Sequence, residues 1–135
     1  MYQMIYVSEA TEQFQPGDLQ KMLDVARSNN LIAGVTGMLV FRNGQFLQVL
    51  EGGPTAVIST YDRIAADSRH QDLIVLHRGY SHVGKTFSAL SMGFQAQSLT
   101  DPLSSQTCPL DFYHFDGLAA LDFLVACRPR DALPV

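Results

Sequence analysis

Gly37-Met38-Leu39-Val40-Phe41-Arg42-Asn43-Gly44-Gln45-Phe46-Leu47-Gln48-Val49-Leu50-Glu51 reads as two β-strands joined at Asn43-Gly44. That dipeptide suits a two-residue type I′ turn, in which both central residues need positive φ. Placing the turn there fixes the register. Phe41 faces Phe46, Leu39 faces Gln48 and Gly37 faces Leu50 on one side, while Met38, Val40, Leu47 and Val49 line the other. Both sides are apolar, so the hairpin belongs at the centre of a sheet covered on both faces. Gln48 is the exception. A primary amide buried without partners costs about 1–3 kcal/mol, so a polar group must meet it there.

The chain has 135 residues, enough for one domain with a single core. Charged residues are 16% of it, against about 25% in an average soluble protein. That shortfall predicts a surface partly covered, by another copy or by a separate protein. The formal net charge is −4 with no Lys/Arg cluster, which argues against nucleic-acid and anionic-membrane partners. No apolar run reaches the roughly 18 residues of a membrane span, and the N-terminus has no signal-peptide pattern. Cys108 and Cys127 suggest neither a disulfide framework nor a metal site. The expectation is a cytoplasmic protein.

Met4-Ile5-Tyr6-Val7-Ser8 reads as a first strand with Met4, Tyr6 and Ser8 on one face. A polar loop over 9–15 follows. Leu19, Met22, Leu23 and Ala26 then recur with helical spacing after Asp18, and the same face reaches Asn30 where the helix is expected to end. Beyond the hairpin, Pro54 suits the first turn of a second helix whose stripe is Val57, Tyr61, Ile64 and Ala65, closed by Asp67-Ser68-Arg69-His70. Leu73-Ile74-Val75-Leu76 reads as a buried strand. Phe87 to Phe94 alternates as a further strand, with Leu90, Met92 and Phe94 on one face. A Ser/Thr/Pro-rich connector leads to a last helix around Leu118–Val125, which either covers the sheet's other face or faces a second chain. This order predicts an α+β, ferredoxin-like βαββαβ sandwich with an added strand and a C-terminal helix.

Two candidate sites compete. Gly79-Tyr80-Ser81-His82-Val83-Gly84-Lys85-Thr86 matches the phosphate-binding pattern GxxxxGK[ST]. A P-loop opens into a helix, whereas 87–94 alternates with period two, and too little chain follows for a parallel sheet. The second candidate is the space that receives Gln48, Asn30 from the first helix, and Ile64 with Arg63 from the second. Its plain structural alternative has Gln48 bonded to nearby backbone and Asn30 capping its helix.

In order, Met4-Ile5-Tyr6-Val7-Ser8, Asp18-Leu19, Asn29-Asn30, Val35-Thr36-Gly37-Met38-Leu39, Phe46-Leu47-Gln48-Val49-Leu50-Glu51-Gly52, Arg63-Ile64, Asp67-Ser68-Arg69-His70 and Ser91-Met92-Gly93 resemble a BLUF domain, the family of blue-light sensors that use FAD. The resemblance implies a sensor domain over 1–97, with a connector and helix over 98–135 that pack on the sheet or a partner. It implies a non-covalently bound flavin, FAD or else FMN or riboflavin, held by Asn30, Gln48, Arg63, Ile64, Arg69 and His70. The photoactive residues it implies are Tyr6, Gln48 and Met92. Light would draw an electron and then a proton from Tyr6, and Gln48 would settle in a new hydrogen-bond arrangement by rotation or tautomerisation. Leu90 stands where most members carry Trp. A photoreceptor rather than an enzyme is implied, signalling through a homo-oligomer or a separate effector protein. The remaining alternatives are a P-loop nucleotide-binding enzyme and a flavin-free ferredoxin-like interaction module.

Overall fold

The computed structural model describes residues 1–15, 17–80 and 111–127, together with the backbone of 93–96. In chain order the elements are β1 (Tyr2–Ala10), α1 (Asp18–Ala33), β2 (Thr36–Arg42), β3 (Gln45–Gly52), α2 (Pro54–Ala65), β4 (His70–Tyr80), β5 (Gly93–Ala96), a 3-10 turn (Phe112–His114) and α3 (Gly117–Ala126). The strands form one sheet in the order β4-β1-β3-β2-β5. β1 is antiparallel to β3 and β4, β2 is antiparallel to β3, and β5 runs parallel to β2. This is the α+β, ferredoxin-like arrangement with one strand added.

The hairpin takes the register that its turn dictates. Phe41 pairs with Phe46, Leu39 with Gln48 and Gly37 with Leu50. Asn43 and Gly44 have φ of 52° and 76°, the positive pair that a type I′ turn requires. Because β2 and β3 lie inside the sheet, both of their faces are covered. On one face Ile5, Val7, Met38, Val40, Leu47 and Val49 pack against Phe112, Ala120 and Leu124. On the other, Met4, Tyr6, Leu39, Phe46 and Leu50 pack with Leu23 of α1 and Val57 of α2.

The C-terminal helix therefore covers the sheet's second face. Asp116 caps it, its carboxylate accepting from the Ala119 N–H at 2.7 Å. Gly117 lets it press onto β4, since a Cβ there would stand 2.7 Å from that of His77. The Gln45 side chain ties the preceding turn to the hairpin, donating to Asp111 Oδ1 at 3.0 Å and accepting from the Phe112 N–H at 2.9 Å.

Four details differ from the sequence reading. β1 is longer, taking in Glu9 and Ala10. α1 continues one turn past Asn30 to Ala33 and ends at Gly34 in the left-handed conformation. Nothing in Leu31-Ile32-Ala33 breaks a helix, and that last turn leaves Leu31 and Ile32 exposed. On α2 Val57 is buried as the stripe predicts and Thr60 is buried with it, while Ala65 is exposed. β4 is an edge strand running from His70 to Tyr80, so Ile74 is 50% exposed rather than buried. An apolar run alone does not distinguish an edge from a centre. Among the described residues no helix is long and apolar enough to cross a membrane.

Candidate functional site

Gln48 lies on the middle strand with Tyr6 opposite it on β1 and Leu39 opposite it on β2. The period-two alternation turns all three toward the face that α1 and α2 cover. There the Tyr6 hydroxyl donates a hydrogen bond to Gln48 Oε1. Tyr6 is fully buried and Gln48 nearly so. Burial pushes the Tyr6 phenol far above its ordinary range, with Tyr61 and the Asp67 carboxylate adding to the shift. Tyr6 is thus held as a neutral donor.

Asn30 reaches the same space from α1 and is 1% exposed. The extra helical turn explains this. Gly34 supplies the C-cap, and the Asn30 backbone carbonyl accepts from the Val35 N–H at 2.9 Å. On α2, Thr60, Arg63 and Ile64 face the same cleft. Thr60 satisfies its own hydroxyl by donating to the Ala56 carbonyl at 2.8 Å, which allows a polar side chain on the buried face.

The α2–β4 connection closes one side. Arg69 donates to Asp67 through Nη2 at 2.7 Å and Nε at 3.0 Å, and its backbone N–H reaches Asp67 Oδ1 at 2.9 Å. These bonds from Arg69 hold the Asp67 carboxyl below its ordinary range. His70 opens β4 instead of closing α2. Its Nδ1 lies 3.0 Å from Ser8 Oγ and its ring packs on Phe46 at 4.7 Å between centroids. Burial pushes the His70 pKa down, opposed by Asp67 and assisted by Arg69, so the ring is neutral in neutral solution.

Between α1 and α2, above the sheet, these side chains enclose a cavity of about 180 Å³. A single water needs only about 10–15 Å³, so the space is built for a larger group. Met22, Leu23, Ala26, Leu39 and Ile64 give it apolar walls; Asn30 and Gln48 give it two buried amides; Lys21, Arg63 and the Asp67–Arg69 pair line it as well. Asn30, Gln48, Arg63, Ile64, Arg69 and His70 thus come together around one space, with Tyr6 behind Gln48. Met92 lies outside the described residues, as do Leu90 and residues 81–86 of the GxxxxGKT stretch. Of that stretch, Gly79 and Tyr80 belong to β4, paired with Gln3 and Tyr2. Sequence reasoning missed Lys21, Val25 and Thr60 as lining residues. Thr60 sits three positions after Val57 and four before Ile64, so helical spacing placed it on the stripe, and its polarity hid it. Among the described residues no cluster of His, Cys, Asp and Glu could hold a metal.

The family model for sensors of blue light using FAD matches residues 1–93. The chain belongs to the BLUF family. BLUF domains are sensors, and the family binds FAD. Over 74 residues the chain is 35% identical to the photoactivated adenylate cyclase subunit beta of Euglena longa, a match covering 55% of this chain and 9% of that protein. Over 78 residues it is 31% identical to the blue light- and temperature-regulated antirepressor BluF of Escherichia coli, covering 58% of this chain and 19% of that one. The BLUF match thus spans a small part of these relatives. Among solved structures, the ground state of BlsA superposes with a TM-score of 0.81 at 22% identity, covering 99% of this chain and 93% of that one. Klebsiella pneumoniae BlrP1 with FMN and cyclic diGMP gives 0.65 at 31% identity, covering 96% of this chain and 31% of that one.

The BLUF cavity found here suits a flavin ring by its chemistry. Its walls are apolar, as a flat aromatic group needs, and its buried amides match a ring edge that alternates donors and acceptors.

Proposed function

We propose that this BLUF protein is a blue-light sensor whose switch is the Tyr6–Gln48 hydrogen bond. The observation that carries the reading is that bond itself, fully buried and lying at the base of a cavity that Gln48 also lines. Asn30 and Gln48 would hold the ring's polar edge, Ile64 would pack on its face, and Arg63, Arg69 and His70 would border it. The bound flavin, excited by blue light, supplies a one-electron oxidant.

The chain's own residues do the rest. Tyr6 is the donor, because it is buried against the site and its proton already points along a defined bond to Gln48. A phenol with so high a pKa keeps that proton until it is oxidised, which ties proton movement to light. Gln48 carries two donors and one acceptor on one planar group. Turning the amide over, or shifting its proton, exchanges an acceptor for a donor on the side that faces Tyr6 and the reverse on the other side. Two arrangements can then lie within a few kcal/mol of each other. Gln48 itself is nearly fully buried, so a changed hydrogen bond there acts in a low dielectric. Met92 is proposed as the next residue in the output. Residues 1–97 are assigned as the sensor and 98–135 as the segment that passes its state on. The signal leaves through protein–protein contacts, with a second copy or a separate effector.

The test is an absorption spectrum of the purified protein before, during and after blue illumination. A flavin spectrum that moves slightly to the red in light and returns in the dark is expected. A colourless protein, or a flavin that only bleaches, would refute the reading.

A further inference from the structure

Tyr6 does not stand alone beside the cavity. Tyr61 of α2 meets it edge to face, with ring centroids 5.2 Å apart and planes at 75°. Among the described residues it is the one aromatic ring in contact with Tyr6. The two phenols have opposite surroundings. Tyr6 is fully buried, whereas Tyr61 is half-buried on the helix surface beside Asp62. Resting on the reading of Tyr6 as the light-driven donor, we propose that Tyr61 is a second redox-active tyrosine, which refills an oxidised Tyr6 across their edge-to-face contact.

The direction follows from where charge and protons can go. An oxidised tyrosine must shed its phenolic proton, and a charge left in a buried, low-dielectric site is costly. Tyr61 can release a proton to solvent, and the neighbouring carboxylate of Asp62 favours positive charge there. Tyr6 has only the buried bond to Gln48 along which to pass its proton. The step balances as follows. Oxidised Tyr6 has given one electron to the photoexcited flavin and its proton toward Gln48. One electron crosses from Tyr61 to Tyr6, the proton returns along the Gln48 bond to Tyr6 Oη, and the Tyr61 proton leaves to water. Tyr6 is restored, Tyr61 is left as the neutral radical, and the electron stays with the flavin. Burial also makes the Tyr6 phenol the harder of the two to deprotonate, in agreement with this direction. Such an exit competes with formation of the red-shifted state and leaves a long-lived radical near the protein surface.

The experiment illuminates the flavin-loaded protein with a nitroso spin trap and maps adducts by mass spectrometry, with paramagnetic resonance of freeze-trapped samples alongside. It compares the wild type, Tyr61→Phe, which keeps the ring and loses the phenol, and Tyr6→Phe. The expected result is a light-dependent adduct on Tyr61 in the wild type, and loss of the corresponding tyrosyl signal in both variants. A Tyr61 adduct that persists in Tyr6→Phe would show Tyr61 oxidised without the relay and overturn the proposal. A wild type with a normal red shift but the same radical signal as Tyr61→Phe would overturn it too, leaving the role of Tyr6 intact. A red shift retained in Tyr6→Phe would remove the assignment of Tyr6 and the relay together.

Discussion

Gln48 is unusual among the core residues because its neighbours on both strands are so unlike it, a tyrosine hydroxyl on one side and Leu39 on the other. Its replacement separates two roles. Gln48→Leu fills the same space but leaves the Tyr6 hydroxyl without that acceptor, at a cost of about 1–3 kcal/mol. We expect a lower unfolding midpoint and retained flavin, with no light-induced shift; a variant as stable as the wild type would mean that Tyr6 finds another partner. His70 supplies a second residue-scale prediction. Its folded pKa lies below the ordinary 6.5, so the unfolded chain binds more protons as the solution is acidified. The stability it confers is complete above that value and is lost as pH falls through the window beneath it. Urea midpoints between about pH 8 and about pH 5 should fall more steeply for the wild type than for His70→Gln. At this scale the misplaced amide of Gln48 was legible from alternation alone. Its pairing with Tyr6 was legible only through the family resemblance, because it depends on β1 lying beside β3, a long-range choice that no local pattern encodes.

The turn at Asn43-Gly44 has the strongest local signal, and the structure follows it residue for residue. Gly44 has φ of 76°, where a Cβ costs roughly 1–2 kcal/mol. Gly44→Ala should therefore lower stability by about that amount without altering the flavin spectrum, as thermal melts and absorption will report. On the opposite face, Leu124 of α3 is fully buried against the sheet. Leu124→Ala is expected to cost about 2–5 kcal/mol, and a loss under about 1 kcal/mol would mean that α3 adds little to this core. Helix and strand interiors were readable because apolar period maps directly onto burial. Element ends and edges were not. α1 overran Asn30 because its stop signal is Gly34, four residues on, and β4 looked buried because an apolar run carries no information about its place in the sheet.

At the scale of the molecule, one sheet serves two covers. The α1/α2 side holds the cavity, and the α3 side is sealed by Phe112, Ala120 and Leu124. Tyr6 and Ile5 are adjacent on β1 yet point to opposite covers, so β1 is a physical link between the proposed switch and the proposed output segment. Low charge content and the proposed signalling by contact lead to an expectation that size-exclusion profiles differ between dark and light. Removing the residues after Ser98 should abolish that difference; identical profiles in dark and light would direct the search toward a separate partner. The central claim, that Tyr6 and Gln48 are the switch, is tested most directly by light-minus-dark absorption of Tyr6→Phe beside the wild type at equal flavin occupancy. The account predicts a reversible red shift in the wild type and none in Tyr6→Phe; a shift of normal size in that variant would contradict it.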